Sequence, residues 1–136
     1  MCSSDLFNVM LSHGAKLRTR TIQTWIDAGT IESWLEANRL LLEKNSSREI
    51  PTTNSRIVLP VFIADGARIA NSIIGPYASI SANAVIENST VRDSVVCEDA
   101  QVRGATLEQS VVGAGAIVRG VRGRVNVGSM SVVDVE

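Results

Sequence analysis

Ile63-Ala64-Asp65-Gly66-Ala67-Arg68, followed by Ile69, by Ile74 to Ala78, and by Ile80-Ser81-Ala82-Asn83-Ala84-Val85, is the stretch that decides the fold. Aliphatic residues continue outward from it at Ile86, Val91, Val96, Val102, Leu107, Val112 and Val118, each six or five positions after the last. Three such steps make sixteen or seventeen residues, a period that marks stacked repeats. Each six-residue step, starting at Ile63, Ile74, Ile80, Val96 or Val112, carries alanine at its fifth position: Ala67, Ala78, Ala84, Ala100 and Ala116. The five-residue steps do not. The pattern predicts a three-sided parallel coil, with a branched side chain pointing inward from each flat side and a small one where the chain turns a corner.

Coils are expected to begin at Ile63, Ile80, Val96 and Val112, giving four layers and a prism about 19 Å tall at roughly 4.8 Å per layer. Ala64, Ser81, Cys97 and Gly113 follow those starts and are all small, so Cys97 reads first as a space-filling residue. After Val118 the pattern fails at Gly120-Val121-Arg122-Gly123. Residues 125–128, with Val132, Val133 and Val135, are expected to form irregular strands covering one end, since an open solenoid end needs a cap or a partner. Val95, Val111, Ile73 and Val85 lie beside the inward columns; either they face outward as contact surfaces, or the register shifts locally and they lie inside.

The rest of the chain is built differently. Sixteen of the seventeen valines lie after residue 57, while eight of the nine leucines lie at or before residue 59. Leu6, Val9 and Met10 fall at helical spacing before Gly14, where a helix would stop. Threonine-rich residues 15–26 alternate in the manner of a strand. Thr30 is placed to cap a second helix that carries Ile31, Trp34, Leu35, Leu41 and Leu42 on one face, with Glu32 in its first turn and Lys44 in its last. Polar residues 45–57 read as a linker, dividing the chain into a front part, residues 1–44, and the repeat, residues 58–136.

Composition narrows the function classes. With 136 residues, 45% hydrophobic and 20% charged, the chain is long enough for a core and too apolar for disorder throughout. A net charge of -1 gives no general attraction to nucleic acid or anionic lipid, and no apolar run approaches the roughly 20 residues of a membrane helix. Two cysteines are too few for a disulfide framework, so a cytoplasmic setting is expected. Arg119, Arg122 and Arg124 cluster near the end; they are read as keeping the terminal coil soluble, with a phosphate or an acidic neighbouring surface as the alternative contact.

The hexamers resemble those of left-handed parallel β-helix proteins, and the handedness is an implication of that resemblance. Taken with His13-Gly14-Ala15-Lys16-Leu17, with Trp25-Ile26-Asp27-Ala28-Gly29-Thr30, with the run from Trp34 to Leu42 and with Val125-Asn126-Val127-Gly128, the chain resembles the C-terminal part of sugar-1-phosphate nucleotidyltransferases, most closely the long glucose-1-phosphate thymidylyltransferases. That resemblance covers Phe7 to Glu136, and residues 1–6 read as a non-native addition. It implies a transfer in which a sugar-1-phosphate oxygen attacks the α-phosphorus of a nucleoside triphosphate and pyrophosphate leaves, with magnesium offsetting the phosphate charge. Asp27 matches the family's second magnesium-binding aspartate; its plainer role is a turn residue accepting backbone hydrogen bonds before Gly29.

The phosphate loop, the first metal aspartate and the sugar-phosphate lysine of that family have no counterpart here. The front part is therefore expected to be the end of a catalytic domain, the chain alone to be inactive and without a cofactor, and the β-helix to serve assembly as a homo-oligomer. A second class, the hexapeptide-repeat acyltransferases, relies on a histidine base. The single histidine, His13, sits at a helix end outside the repeat, where it reads as a solvated residue.

Overall fold

The computed structural model describes residues 3–47 and 50–135. Two helices, α1 (Ser3–Ser12) and α2 (Ile31–Lys44), precede a parallel β-helix of fifteen short strands. One side of the prism stacks β1 (Arg56–Ile57), β4 (Ile73–Ile74), β7 (Thr90–Arg92), β10 (Thr106–Glu108) and β13 (Arg122–Gly123). A second stacks β2 (Val61–Ile63), β5 (Ala78–Ile80), β8 (Ser94–Val96), β11 (Val111–Val112) and β14 (Asn126–Val127). The third stacks β3 (Arg68–Ala70), β6 (Val85–Glu87), β9 (Gln101–Arg103), β12 (Ile117–Arg119) and β15 (Val132–Asp134).

The expected inward columns are in place. Ile57, Ile74, Val91, Leu107 and Gly123 align on the first side. Ile63, Ile80, Val96, Val112 and Val127 align on the second, and Ile69, Ile86, Val102, Val118 and Val133 on the third. Ile74, Ile80, Ile86, Val91, Val96, Val102, Leu107, Val112 and Val118 are fully buried, as are Ala78, Ala84, Ala100 and Ala116; Ile69 is nearly so. Ile63 and Ala67, in the outermost coil, are partly buried against the same core. Ala84 and Ala116 close the turns that start at Ser81 and Gly113 by donating their backbone N–H to those carbonyls.

The coil count is five, where the sequence predicts four. The repeat does not fail after Val118: β13, β14 and β15 continue all three ladders in register. Gly123 occupies an aliphatic position and the next step, to Val127, is only four residues long, so the fifth coil escapes a search for branched residues at five- or six-residue spacing. The strand expected over residues 15–26 is absent as well, since that stretch holds no regular structure. A strand is held by ladder hydrogen bonds to a neighbour, and no described segment pairs with this one. Helix α1 ends as expected at Gly14, whose φ of 82° is left-handed, but none of its residues is buried.

Within residues 45–57, expected as a linker, Ser46, Ser47 and Thr53 are tied to the first coil. Ser47 donates its N–H to the Val61 carbonyl at 2.7 Å, Val61 and Ile63 donate to the Ser46 and Ser47 hydroxyls, and Thr53 bridges Ala70. Polar residues without apolar period can still join a solenoid, because their contribution is to backbone hydrogen bonding at its end.

Thirteen corners are turned by a left-handed residue, and these stack into columns: Gly66, Asn83, Asp99, Gly115 and Met130 at one, Asn54, Asn71, Asn88, Gly104 and Gly120 at the next, and Tyr77, Asp93 and Gln109 at the third. Glycine, asparagine and aspartate adopt this conformation at least cost, and they hold ten of the thirteen places. Inside, serines form a second ladder. Ser72 accepts from the Ser89 N–H and Ser89 from the Ala105 N–H, while on the next side Ser94 accepts from Ser110 and Ser110 from Val125. Every one of these hydroxyls also donates to the carbonyl two residues earlier, so each buried oxygen is satisfied twice.

Candidate functional site

Helix α2 begins with a capping box in which the Thr30 hydroxyl accepts from the Ser33 N–H and the Ser33 hydroxyl accepts from the Thr30 N–H. Its fourteen residues span about 21 Å, close to the roughly 19 Å covered by four inter-coil steps. The helix uses that match. One turn advances about 5.4 Å and one coil about 4.8 Å, so residues near one turn apart meet successive strands of the second sheet.

Leu35 and Ile31 cluster with Val95 and Val111, which are only 7% and 5% exposed on the outer face. One coil further, the Asn38 side chain accepts from the Ser79 hydroxyl and donates to the Tyr77 carbonyl at 3.4 Å. Of the two alternatives, Val95 and Val111 take the outward one, and what covers them is the chain's own helix. Ile73, by contrast, stays 43% exposed on the first side.

A charged clamp flanks this seam. Arg39 Nε donates to Asp93 Oδ1 at 2.6 Å, its guanidinium lies 4.7 Å from the centre of the Tyr77 ring, and the Tyr77 hydroxyl donates to Glu43 Oε1 at 3.2 Å. The hydrogen bond to Asp93 raises the Arg39 pKa above its ordinary value, against a smaller opposing effect of partial desolvation. Asp93 itself is 8% exposed. Beside the clamp lies a cleft of about 230 Å³, walled by Ile31 and Leu35 and rimmed by Glu36, Arg39, Asp93 and Arg124. Arg124 donates to Gln109 Oε1.

Sequence reasoning missed the clamp. A usable signal existed: Tyr77, Asp93 and Gln109 recur every sixteen residues, which marks one corner, and a helix as long as four coils has only the prism's length to lie along.

The expected site residues are placed apart. Asp27 is exposed in the turn before α2, its carboxylate folded back toward the Gly29 Cα. Among the described residues no group of three or more histidine, cysteine, aspartate or glutamate side chains could hold a metal ion, so the residues present do not make up a magnesium site around Asp27. His13 ends α1 with Nδ1 2.8 Å from the Val9 carbonyl oxygen, and it is exposed, in agreement with a helix-end role. Cys97 is partly buried beside Leu35 and Val111; burial, and secondarily the charge of Glu98, raises its thiol pKa.

The three C-terminal arginines diverge. Arg119 pairs with Asp134 at 3.5 Å on the third side, Arg122 is exposed on the first, and Arg124 lines the cleft. Among the described residues, no helix is long and apolar enough to cross a membrane.

No family model matches the chain. Curated relatives do. It is 29% identical over 131 residues to a glucose-1-phosphate thymidylyltransferase of Streptomyces griseus, covering 81% of this chain and 37% of that protein. A glucose-1-phosphate thymidylyltransferase of Streptomyces antibioticus is 29% identical over 125 residues, 76% of this chain and 35% of that protein. A glucose-1-phosphate adenylyltransferase of Bacillus mycoides is 29% identical over 132 residues, 84% of this chain and 35% of that protein. The chain thus spans little more than a third of the length of the curated relatives it matches. All three of these relatives are named as glucose-1-phosphate thymidylyl- or adenylyltransferases.

Proposed function

We propose that the chain is the assembly and positioning part of a cytoplasmic sugar-1-phosphate nucleotidyltransferase, one that joins glucose-1-phosphate to dTTP and releases pyrophosphate. The observation that carries this reading is the clamping of α2 along the prism: the helix that follows the turn bearing Asp27 is fixed to the coils by Arg39, Asp93, Tyr77 and Asn38. A rigid seam of that kind holds a neighbouring catalytic part at a set distance and angle from whatever the prism contacts. The resemblance of the His13, Trp25 and Trp34 motifs to those of the long thymidylyltransferases is what supports the thymidylyl form.

Magnesium belongs, in this proposal, to the complete enzyme, where Asp27 joins carboxylates supplied from outside this chain; the chain alone binds none. Nucleoside triphosphate and sugar-1-phosphate are likewise partners of the complete enzyme, and the prism's own partner is a further copy of the chain. Pyrophosphate release from dTTP and glucose-1-phosphate in the presence of magnesium tests the reading. The chain produced alone is expected to release none, and the longer protein obtained by extending the gene upstream is expected to be active. Turnover by the chain alone would overturn the division of labour, and a longer protein inactive with every nucleoside triphosphate would overturn the family reading.

A further inference from the structure

Three Asn-Ser pairs stand one above another on the prism: Asn54-Ser55, Asn71-Ser72 and Asn88-Ser89. All three asparagines are exposed corner residues with nearly the same left-handed backbone, at φ of 45°, 50° and 50°. The serines that follow them are not equivalent. Ser89 donates its N–H to the Ser72 hydroxyl at 3.2 Å and Ser72 donates its N–H to the Ser55 hydroxyl at 3.1 Å, and these two serines are buried, at 4% and 3% exposure. Ser55 opens the ladder. It precedes β1, the edge strand of the first sheet, it is only partly buried, and its N–H meets no acceptor among the described residues.

We propose that Asn54-Ser55 is a site of self-modification, where the asparagine amide converts to an acid while the two pairs above it are held unreactive. Asparagine is among the thermally labile residues. When a small residue follows, the next backbone nitrogen can attack its side-chain Cγ. That nitrogen gives up its proton as the N–Cγ bond forms, and the Cγ–Nδ2 bond breaks as ammonia leaves with the proton. The resulting five-membered imide is opened by water, whose hydroxide adds to one carbonyl carbon and whose remaining proton restores the Ser55 N–H. Attack at the side-chain carbonyl gives aspartate, and attack at the main-chain carbonyl gives isoaspartate. The only co-reactant is water.

The serine ladder selects among the pairs. Attack requires the nitrogen to lose its proton and the peptide plane to swing toward Cγ, and at Ser72 or Ser89 both changes break a buried N–H···Oγ bond. Ser55 has no such bond to break. Reaction at Asn54 also has a local consequence: its Nδ2 donates to Asn71 Oδ1 at 2.8 Å, and a carboxylate in its place turns that donor into an acceptor. Isoaspartate further lengthens the main chain by one carbon and displaces the Ser55 hydroxyl from the Ser72 N–H. Asn71 then loses its protection, so the coils react in order from the first. A fourth pair, Asn45-Ser46, follows α2 with φ of -137° and lies outside this stack.

Incubation of the full chain in mildly alkaline buffer tests this, with amide loss read by peptide mass spectrometry and isoaspartate by methyl transfer from S-adenosylmethionine with an isoaspartyl methyltransferase. Asn54 is expected to lose its amide at least about tenfold faster than Asn71 or Asn88, and in denaturant the three rates are expected to agree within about threefold. Ser55→Ala, which deletes the acceptor of the Ser72 N–H, should speed Asn71 at least about tenfold and leave Asn88 unchanged. Ser72→Ala should release Asn88 in the same way, which separates the loss of one hydrogen bond from a general loosening of the first coil. Equal rates in the folded chain, a preference for Asn54 that persists in denaturant, or Asn71 and Asn88 rates indifferent to these two variants would overturn the proposal. The site lies away from the α2 seam, and its readouts are independent of pyrophosphate release.

Discussion

Arg39 Nε and Asp93 Oδ1 stand 2.6 Å apart across the seam between α2 and the prism, joining residues 54 positions apart in sequence. The carboxylate is nearly buried while the arginine side chain is 46% exposed, so the pair sits between the surface and interior limits. Removing the arginine leaves a desolvated carboxylate without its donor. Arg39→Ala is therefore expected to cost about 1 kcal/mol, and Arg39→Lys to recover only part of it because lysine keeps the charge and loses the planar stack on Tyr77. A double-mutant cycle with Asp93→Ala, read by thermal unfolding, measures the coupling. An additive cycle would show the pair to be incidental.

The same pair has a pH signature. A guanidinium whose folded pKa is raised contributes stability that is present below its ordinary value and is lost only as pH climbs through the folded value. The Arg39 contribution to the coupling is accordingly expected to stay constant from about pH 6 to 9. Unfolding curves for wild type and Arg39→Ala across that range check this, and a difference that shrinks toward pH 9 would contradict it.

Ala84 tests the register of the coil. Its side chain is fully buried at a turn, packed with the inward aliphatics. Ala84→Leu adds three carbons where no space is left, and the cost is expected to be about 1 to 3 kcal/mol. An unchanged melting curve would mean that the corner yields.

The serine ladder makes a contrasting prediction about polar groups. Ser89 Oγ accepts the Ala105 N–H at 3.1 Å and donates to the Glu87 carbonyl at 2.7 Å, with the residue 4% exposed. Ser89→Ala leaves a buried N–H without an acceptor and is expected to cost about 1 to 3 kcal/mol, more than its one lost oxygen suggests by size. Hydrogen exchange at the Ala105 amide should accelerate in step. A neutral variant with a protected amide would show that another acceptor moves in.

The large features of the fold were legible because they rest on side-chain volume at fixed spacing. Ile80, Val96 and Val112, with Ala84, Ala100 and Ala116, announce one side and its corner without any tertiary information. The serine columns and the asparagine corners were equally periodic, at Ser72 and Ser89 and at Asn54, Asn71 and Asn88, yet polar residues are common in loops and draw no notice until the backbone groups they serve are visible. The fifth coil was hidden by Gly123 and a four-residue step. The helix clamp was harder to read: the length of α2 and the sixteen-residue column point to the coil axis, but nothing local in Arg39 or Asp93 reveals that these two side chains meet, since that depends on how helix rise and coil height match.

Two glycines separate crowding from backbone strain. A Cβ on Gly113 would come 2.5 Å from the Ser129 backbone nitrogen and 2.7 Å from the Gly128 carbonyl carbon, both in the next coil. At Gly104 nothing lies within 4 Å, but φ is +58°. Gly104→Ala is expected to cost about 1 kcal/mol from the left-handed conformation alone, and Gly113→Ala more than that, with the loss confined to the fifth coil because coils contact only their neighbours. Hydrogen exchange resolved along the chain checks the second point. Uniform destabilisation by Gly113→Ala would show that the prism melts as one unit.

Cys97 is the last group whose environment sets a measurable chemistry. Burial disfavours its thiolate, Glu98 adds a smaller repulsion, and both push the thiol above its ordinary value of 9.0. Alkylation by iodoacetamide at about pH 8 is expected to be slower for the folded chain than for the chain in denaturant, followed by mass spectrometry of the peptide containing Cys97. The sign of the linked stability follows. Below about pH 9 the thiol is protonated in both states and no differential proton uptake occurs, whereas above it the unfolded chain ionises first, so folded stability should fall as pH rises through 9 and Cys97→Ser should flatten that fall. Folded-state alkylation as fast as that of the denatured chain would place the sulfur in solvent and remove it from the seam with Leu35 and Val111.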